Sequence, residues 1–412
     1  MTSDSSTSKV TNLSSTSHRK PLLDPDGYPA TFLVALAGFA GLAVLAVLPL
    51  LVTSLVIELG YTETQSSQVV AANLFGTALG MLGVAAMLRR TGLKALAAVG
   101  ASLILLCELI SLGITALETL TLVRLASGLG SGLLVGAVYA WAARRLYPER
   151  GFAMLMLLQF IGAGLLLFML EGPVARFGLS ALYLTFAGCA LLALLCIPAM
   201  GRTAPDAGAP MGSARRGKTT IWRDWRLWCL LMAIALFEIA NAGAWAFVQT
   251  FGQALALPDT QIHNVTVITG AIGAVGALAV MWLGERQGRS RPLAAGLLLS
   301  VAATAALLLD RGLVPYASGV MVLSICWAFI LPYLQGALAQ LDRHGELTAI
   351  SGFVIMVSVA LGPGVIGQVI GIAGIASGLL LILSCFVICL VVALPVTRLT
   401  DTNIHSTKEI LS

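Results

Sequence analysis

Twelve apolar runs follow one another along the chain, separated by polar or Gly/Pro-marked breaks. They fall near 32–57, 67–88, 93–116, 119–142, 151–171 and 178–200, then 226–252, 264–284, 292–310, 314–340, 348–372 and 374–395. Each is close to the roughly 20 residues that a helix needs to cross a bilayer. Lipid offers no partner for an unpaired backbone group, so runs of this length predict an all-α membrane protein of twelve transmembrane helices. The weakest break, Gly371–Gly374, carries no charge. The longest polar interruption, 201–224, contains Pro205, Pro210 and a basic cluster and leaves six runs on either side. Its composition suits a flexible hinge between two half-bundles.

Composition removes the soluble alternatives. Of 412 residues, 58% are hydrophobic and 10% are charged, against about 25% charged in a soluble globular domain. The mean hydropathy is +0.94. A chain this poor in charge cannot cover its own surface in water, so its partner is the lipid bilayer. The seven cysteines all lie inside apolar runs without metal or redox spacing and read as packing residues. The first 30 residues are rich in Ser and Thr and lack an apolar core, so a disordered tail is expected there rather than a signal peptide.

The formal charge of +5 would suit nucleic acid as a partner, but the placement of the charges argues against it. With both termini cytoplasmic, every Lys and Arg except Arg124, Arg176 and Arg311 falls on the cytoplasmic side. Shifting the count by one helix destroys this bias, which is the orientation signal of membrane proteins. No Gly-x-x-x-x-Gly-Lys-[Ser/Thr] motif occurs, which argues against direct use of ATP. The four histidines (His18, His263, His344 and His405) lie outside the runs and far apart. They form no metal or acid–base cluster, so neither an enzyme nor a cofactor is expected.

Two weak repeats relate run n to run n+6. Arg89-Arg90-Thr91-Gly92-Leu93-Lys94 follows the second run and Glu285-Arg286-Gln287-Gly288-Arg289 the eighth. Leu170-Glu171-Gly172-Pro173 lies late in the fifth and Ala360-Leu361-Gly362-Pro363 in the eleventh. The stretch Glu285, Arg286, Gly288, Arg289 resembles the Asp-Arg-x-Gly-Arg signature of the major facilitator superfamily, with Glu for Asp. The first copy departs from it, with Arg89 in the acidic place. Arg124-x-x-x-Gly128-x-Gly130 resembles that superfamily's fourth-helix motif. Gly162, Gly164, Gly172 and Pro173 are similar in part to its antiporter motif. The resemblance covers Thr31 to about Thr397. It implies two pseudo-symmetric six-helix bundles, 31–200 and 225–397, joined by a cytoplasmic linker at 201–224 and flanked by tails at 1–30 and 398–412. It also implies alternating access of a small-molecule cargo by rocking of the halves. The expected protein is then a monomeric secondary transporter of a bacterial inner membrane. Proton-coupled efflux is the first expectation, and proton-coupled uptake of a small organic acid is the alternative.

A charge inside a bilayer costs about 2.5–3.5 kcal/mol on insertion scales and tends to face a cavity or a partner. Glu108, Arg124, Glu171 and Glu238 are therefore the candidate coupling groups. Glu238, Asn241, Trp245 and Gln249 fall within about an 80° arc of one helix face, a polar stripe suited to a cavity. Tyr139, Trp327 and Tyr333 are further candidates for lining it. An unpaired carboxyl in an apolar span is a candidate proton carrier, because burial disfavours its charged form, and a nearby guanidinium opposes that effect. Glu171 has Leu361 as its counterpart beside a shared Gly-Pro pair, so the repeat does not itself require an acid there. Glu285, Arg286, Gly288 and Arg289 are the candidate cytoplasmic gate, with the charges latching neighbouring helix ends.

Overall fold

A computed structural model of the protein describes residues 24, 26–201, 223–309, 312–342 and 344–411, without the side chains of residues 63, 171 and 402–411. Most of the 201–224 linker and of the 1–30 tail lies outside the described residues. The described residues form helices joined by short connections. α1 runs in three pieces, Tyr28–Gly41, Ala43–Ala46 and Leu48–Leu59. It is followed by α2 (Glu63–Met87), α3 (Leu93–Ser111), α4 (Leu117–Ala143), α5 (Pro148–Phe177) and α6 (Leu179–Cys196). α7 runs in two pieces, Trp225–Ala246 and Val248–Ala254. Then come α8 (Asp259–Leu283), α9 (Ser290–Leu309), α10 (Leu313–Leu341), α11 (Glu346–Ala373) and α12 (Ile375–Leu411). Among the described residues, α2 to α12 are each long and apolar enough to span a membrane.

Local sequence explains the boundaries. Thr62 and Gln65 form a reciprocal capping box at the start of α2. Pro148 opens α5, where its missing N–H costs nothing. The uncharged break near 371–374 is made by Gly374, whose left-handed φ of 84° ends α11. α12 has no such stop and runs past the expected boundary near 397, so the segment expected as a tail begins inside this helix.

Within the first half α2 and α3 pack on α4, and α6 packs on α1 and α3; within the second, α8 and α9 pack on α10, and α11 and α12 on α7. The crossing of α2 on α4 is backbone against backbone. A Cβ at Gly128 would lie 2.0 Å from the Asn73 carbonyl oxygen, and one at Gly132 2.1 Å from that of Thr77. α8 meets α10 in the same way, since a Cβ at Gly276 would lie 2.0 Å from the Ile325 carbonyl oxygen. Small residues allow this approach where lipid gives no hydrophobic drive for helices to associate.

Both first helices of the halves break at matching places. α1 is interrupted at Val47 (φ −121°, ψ 23°), just before Pro49, and α7 at Phe247 (φ −107°, ψ 12°). Proline removes a donor from the helical ladder and accounts for the break in α1. The halves meet along α2 with α11, α5 with α8 and α10, and α4 with α11. The shared Gly-Pro pairs of α5 and α11 differ in their surroundings. A Cβ at Gly362 would lie 2.8 Å from the Ile239 carbonyl oxygen on α7, whereas one at Gly172 would meet open space.

Candidate functional site

Glu238 sits on the unbroken part of α7 and is 1% exposed. The Trp327 indole N–H of α10 donates to its Oε1 at 3.2 Å. Its Oε2 has no partner among the described residues, and no cation pairs with it there. Trp327 is held from the other half by Phe160 of α5, edge to face at 6.2 Å between ring centroids. Phe160 in turn fills the space left by Gly273 of α8, where a Cβ would come within 2.4 Å of its ring. Tyr139 of α4 lies close enough to interact with both Glu238 and Gln335. The carboxyl group is thus at the seam between the halves, about midway along the helices.

Beside it is a small cleft lined by Asn241, Ala244, Trp245 and Val248 of α7 and its break, Phe251, Thr269 of α8, and Val320, Leu323, Ser324 and Trp327 of α10. Asn241 donates its amide to the Phe237 carbonyl at 2.9 Å, and Ser324 donates to that of Thr269 at 2.7 Å. The walls are mostly apolar and aromatic with few polar groups, the usual make-up of a small-molecule site. Trp245 is placed in the cleft as the helical stripe requires. Gln249 is exposed and does not line it. The reason is the break at Phe247, which interrupts the 100° phase on which the stripe depends. Tyr333 is fully buried, and its hydroxyl donates to the Gly284 carbonyl at 3.1 Å, so it braces the end of α8 rather than the cleft.

Glu108 and Arg124 form a separate centre inside the first half. Arg124 Nη1 donates to both Glu108 oxygens at 2.9 Å, and Nη2 donates to Ser111 Oγ at 2.6 Å. Ser127 donates to Glu108 at 2.8 Å, and the guanidinium lies 5.0 Å over the Tyr183 ring. Both charges are at most 1% exposed and compensate each other between α3, α4 and α6. Arg124 does not reach Glu238. The side chain of Glu171 lies outside the described residues.

The end of the bundle nearest the 201–224 linker is sealed by ion pairs across the seam. Arg289, at the start of α9, donates to Glu149 Oε2 of α5 at 3.1 Å and also pairs with Glu285. Arg89, at the end of α2, pairs with Glu346 of α11, one of its two bonds being 2.8 Å. Glu149 and Glu346 both open the fifth helix of their halves, while their partners hold different places in the repeated loop, Arg89 standing opposite Glu285 and Arg289 opposite Leu93. Arg144 adds a bond to the His344 carbonyl at 3.0 Å. Asp342 holds that turn by accepting from the N–H groups of Gly345 and Thr348, each at 2.8 Å. The bonds Arg289–Glu149, Arg89–Glu346 and Arg144–His344 all join the two halves at this end.

Burial pulls the Arg289 guanidinium below its ordinary value, with Glu149 and Asp401 opposing the shift. Burial also lowers Arg144, against Asp342. It pushes the Asp342 carboxyl up, against the hydrogen bonds from Thr348, His344 and Gly345. Asp401 of α12 accepts from the backbone N–H groups of Arg289 and Ser290 at 2.9 Å and so fixes the loop that carries Arg289. Gly288 has a left-handed φ of 71°, and a Cβ there would lie 2.7 Å from the Asp401 carboxylate. Arg286 is exposed and rests 5.9 Å over the Trp282 ring, away from these pairs.

Glu149, Glu346, Asp342 and Asp401 were not singled out by pattern. The first two had a signal: both are acids opening the fifth helix of a half, about one repeat apart. Asp342 and Asp401 had none, since their partners are backbone N–H groups supplied by the fold.

The Major Facilitator Superfamily model matches residues 30–363. No curated protein matches the chain in sequence. Among solved structures, the transporter FucP in its outward conformation is similar at a TM-score of 0.69 and 17% identity, over 90% of this chain and 99% of that one. The human organic anion transporter MFSD10 (TETRAN) is similar at 0.68 and 16%, over 89% and 98%. The proton:xylose symporter XylE is similar at 0.68 and 13%, over 88% and 93%. At these identities the likeness concerns the fold, two six-helix halves about a seam, while the family match rests on the sequence from the first helix to the eleventh. This multi-pass membrane protein belongs to the Major Facilitator Superfamily.

Proposed function

We propose that the chain moves a small organic molecule by alternating access and couples that movement to protons through Glu238. The observation that carries this reading is a buried carboxyl with, among the described residues, one unpaired oxygen and no counter-charge, set at the seam beside an apolar cleft. Such a group takes up or releases a proton as its surroundings change between two states. The proposed gate is the pair of ion bridges Arg289–Glu149 and Arg89–Glu346, which hold the linker end shut while the midplane site faces the other way. The protein acts as a monomer in a bacterial inner membrane, with its termini and linker cytoplasmic. Efflux by antiport is the proposed direction, supported by the partial glycine and Gly-Pro motif of α5. FucP and XylE, described as proton symporters, lend weight to the proton as coupling ion but favour neither direction here.

Reconstitution in proteoliposomes with an imposed pH gradient tests this reading. Cargo is expected to move against the direction of the proton gradient, and co-directional movement would establish uptake symport instead. Flux indifferent to the gradient would remove proton coupling. Single cysteines at positions 12, 212 and 405 in a cysteine-depleted variant are expected to react with membrane-impermeant reagents only from the cytoplasmic side. Labelling of any one from outside overturns the proposed topology.

A further inference from the structure

Another pocket opens at the linker end of the bundle and shares no lining residue with the cleft. It lies between the start of α1, the turn joining α4 to α5, the first turns of α5 and the last turn of α8, where Met281 forms a wall. Its charged lining is Arg145, Arg150 and Asp26. Arg145 is braced from behind. Its Nε donates to the Trp141 carbonyl at 3.3 Å, and the guanidinium lies 4.7 Å over the Trp141 ring. Asp26 faces Arg145 at 3.9 Å, too far for a hydrogen bond. It accepts instead from the Leu146 N–H at 3.3 Å.

Arg150 is less satisfied. It rests 4.4 Å over the exposed Tyr147 ring, and its Nε is buried without a partner among the described residues. Glu149, its neighbour in sequence, is turned to Arg289. The pocket therefore holds two guanidinium groups against one carboxylate. Burial pulls Arg145 below its ordinary value despite Asp26 and Asp24, so a further negative charge is favourable there. A guanidinium fork matches the oxygens of a phosphate group. The rim points to a lipid as the source of that phosphate. Tyr28 and Tyr147 are exposed around it, with Trp282 beside Met281, aromatic residues of the kind that sit at headgroup level. An exposed apolar face continues from there toward the middle of the bundle, through Phe32 one turn along α1 and Leu278 and Val275 along α8. A soluble phosphate has no use for such a face, and an acyl chain does.

We propose that this pocket binds the headgroup of an anionic phospholipid from the leaflet at the linker end, with its phosphodiester against Arg150 and Arg145 and its acyl chains along α1 and α8. An anionic headgroup such as that of phosphatidylglycerol balances the excess arginine, whereas neutral phosphatidylethanolamine leaves it in place. The site is independent of Glu238 and of the direction of transport.

Native mass spectrometry of the delipidated full-length protein in detergent, titrated with dioleoyl-phosphatidylglycerol or dioleoyl-phosphatidylethanolamine, tests the proposal. The first phosphatidylglycerol is expected to bind about tenfold more tightly than the first phosphatidylethanolamine. Excess inorganic phosphate is expected not to displace it. Arg150→Gln is expected to weaken this binding by about tenfold or more, as for loss of a charge-assisted bond. Arg150→Lys keeps the charge and is expected to retain the preference for phosphatidylglycerol, which separates lost recognition from a failure to fold. Arg90→Gln removes an exposed arginine at the same end and is expected to bind as the wild-type protein does. Equal affinity for the two lipids, wild-type affinity in Arg150→Gln, or equal weakening in Arg90→Gln and Arg150→Gln overturns the site. Displacement by inorganic phosphate overturns the lipid as its occupant and makes it a site for a free anion.

Discussion

Glu238→Gln keeps the size and polarity of the side chain and is expected to abolish proton-driven transport while the protein remains folded. The glutamine still accepts the Trp327 indole bond, which is 3.2 Å in the native protein, so the seam with Phe160 is retained. What it loses is the exchangeable proton. Flux driven by a pH gradient is expected to fall by about 10²-fold or more, within the range that a positioned proton-transfer group contributes. The remaining flux is expected to be flat with pH. Among the described residues Tyr139 is the titratable group near Glu238, and Tyr139→Phe is expected to leave the pH dependence in place. Glu171→Gln belongs in the same experiment. A Glu238→Gln protein with the wild-type pH profile, beside a Glu171→Gln protein that has lost it, would move the coupling role to Glu171.

Glu149→Gln is expected to shift the protein away from the state closed at the linker end. Glu149 and Arg289 are 0% and 2% exposed; removing one partner of a buried pair costs about 3–5 kcal/mol when the other charge is left uncompensated, and Glu285, which still pairs with Arg289, holds the cost to the low end of that range. Two conformations of such a protein differ by only a few kcal/mol, so a loss of this size is enough to invert their populations. The native latch is incompletely satisfied, since Arg289 Nε and Nη1 and Glu149 Oε1 lack partners among the described residues. A seam of this kind is strong enough to hold and weak enough to release. Spin labels at the exposed positions 90 and 286, on the two repeat-related loops, report the change. A longer distance distribution is expected in Glu149→Gln, with transport impaired and membrane insertion intact. The double variant Glu149→Gln/Arg289→Gln removes both charges and is expected to recover part of the closed population. An unchanged distance distribution in Glu149→Gln would show that the apolar seam alone holds the linker end shut. Arg286→Ala, at a position away from the latch, is expected to keep wild-type transport.

The sequence by itself determined the helical class, the run of membrane-crossing segments, the division into six and six and the family. These follow from the length and period of apolar runs and from a few short motifs, which are local properties of the chain. It also singled out Glu238 and Trp245, because both lie on the unbroken part of α7, where the 100° periodicity holds. The same rule misplaced Gln249 because the helix breaks at Phe247, where no proline marks the break. Tyr333 was legible as a buried aromatic but not as a brace, since its partner, the Gly284 carbonyl, lies 49 residues away.

Only the tertiary structure decided which charges meet. Glu108 and Arg124 are each an isolated charge in an apolar run until α3 and α4 cross, and then they compensate each other at 2.9 Å. Arg289 and Glu149 are 140 residues apart, and Arg89 and Glu346 are 257 apart. Pattern along the chain read Arg89 as an orientation signal, and Arg286 as the equal of Arg289 in the gate. The fold turned one arginine of that loop into the buried seam and left the other over Trp282. The physical reason is the range of the forces. Partition between lipid and water acts on each segment separately and is written in composition. Pairing a buried charge acts over a few ångströms between segments remote in sequence, and it is fixed only when the helices pack.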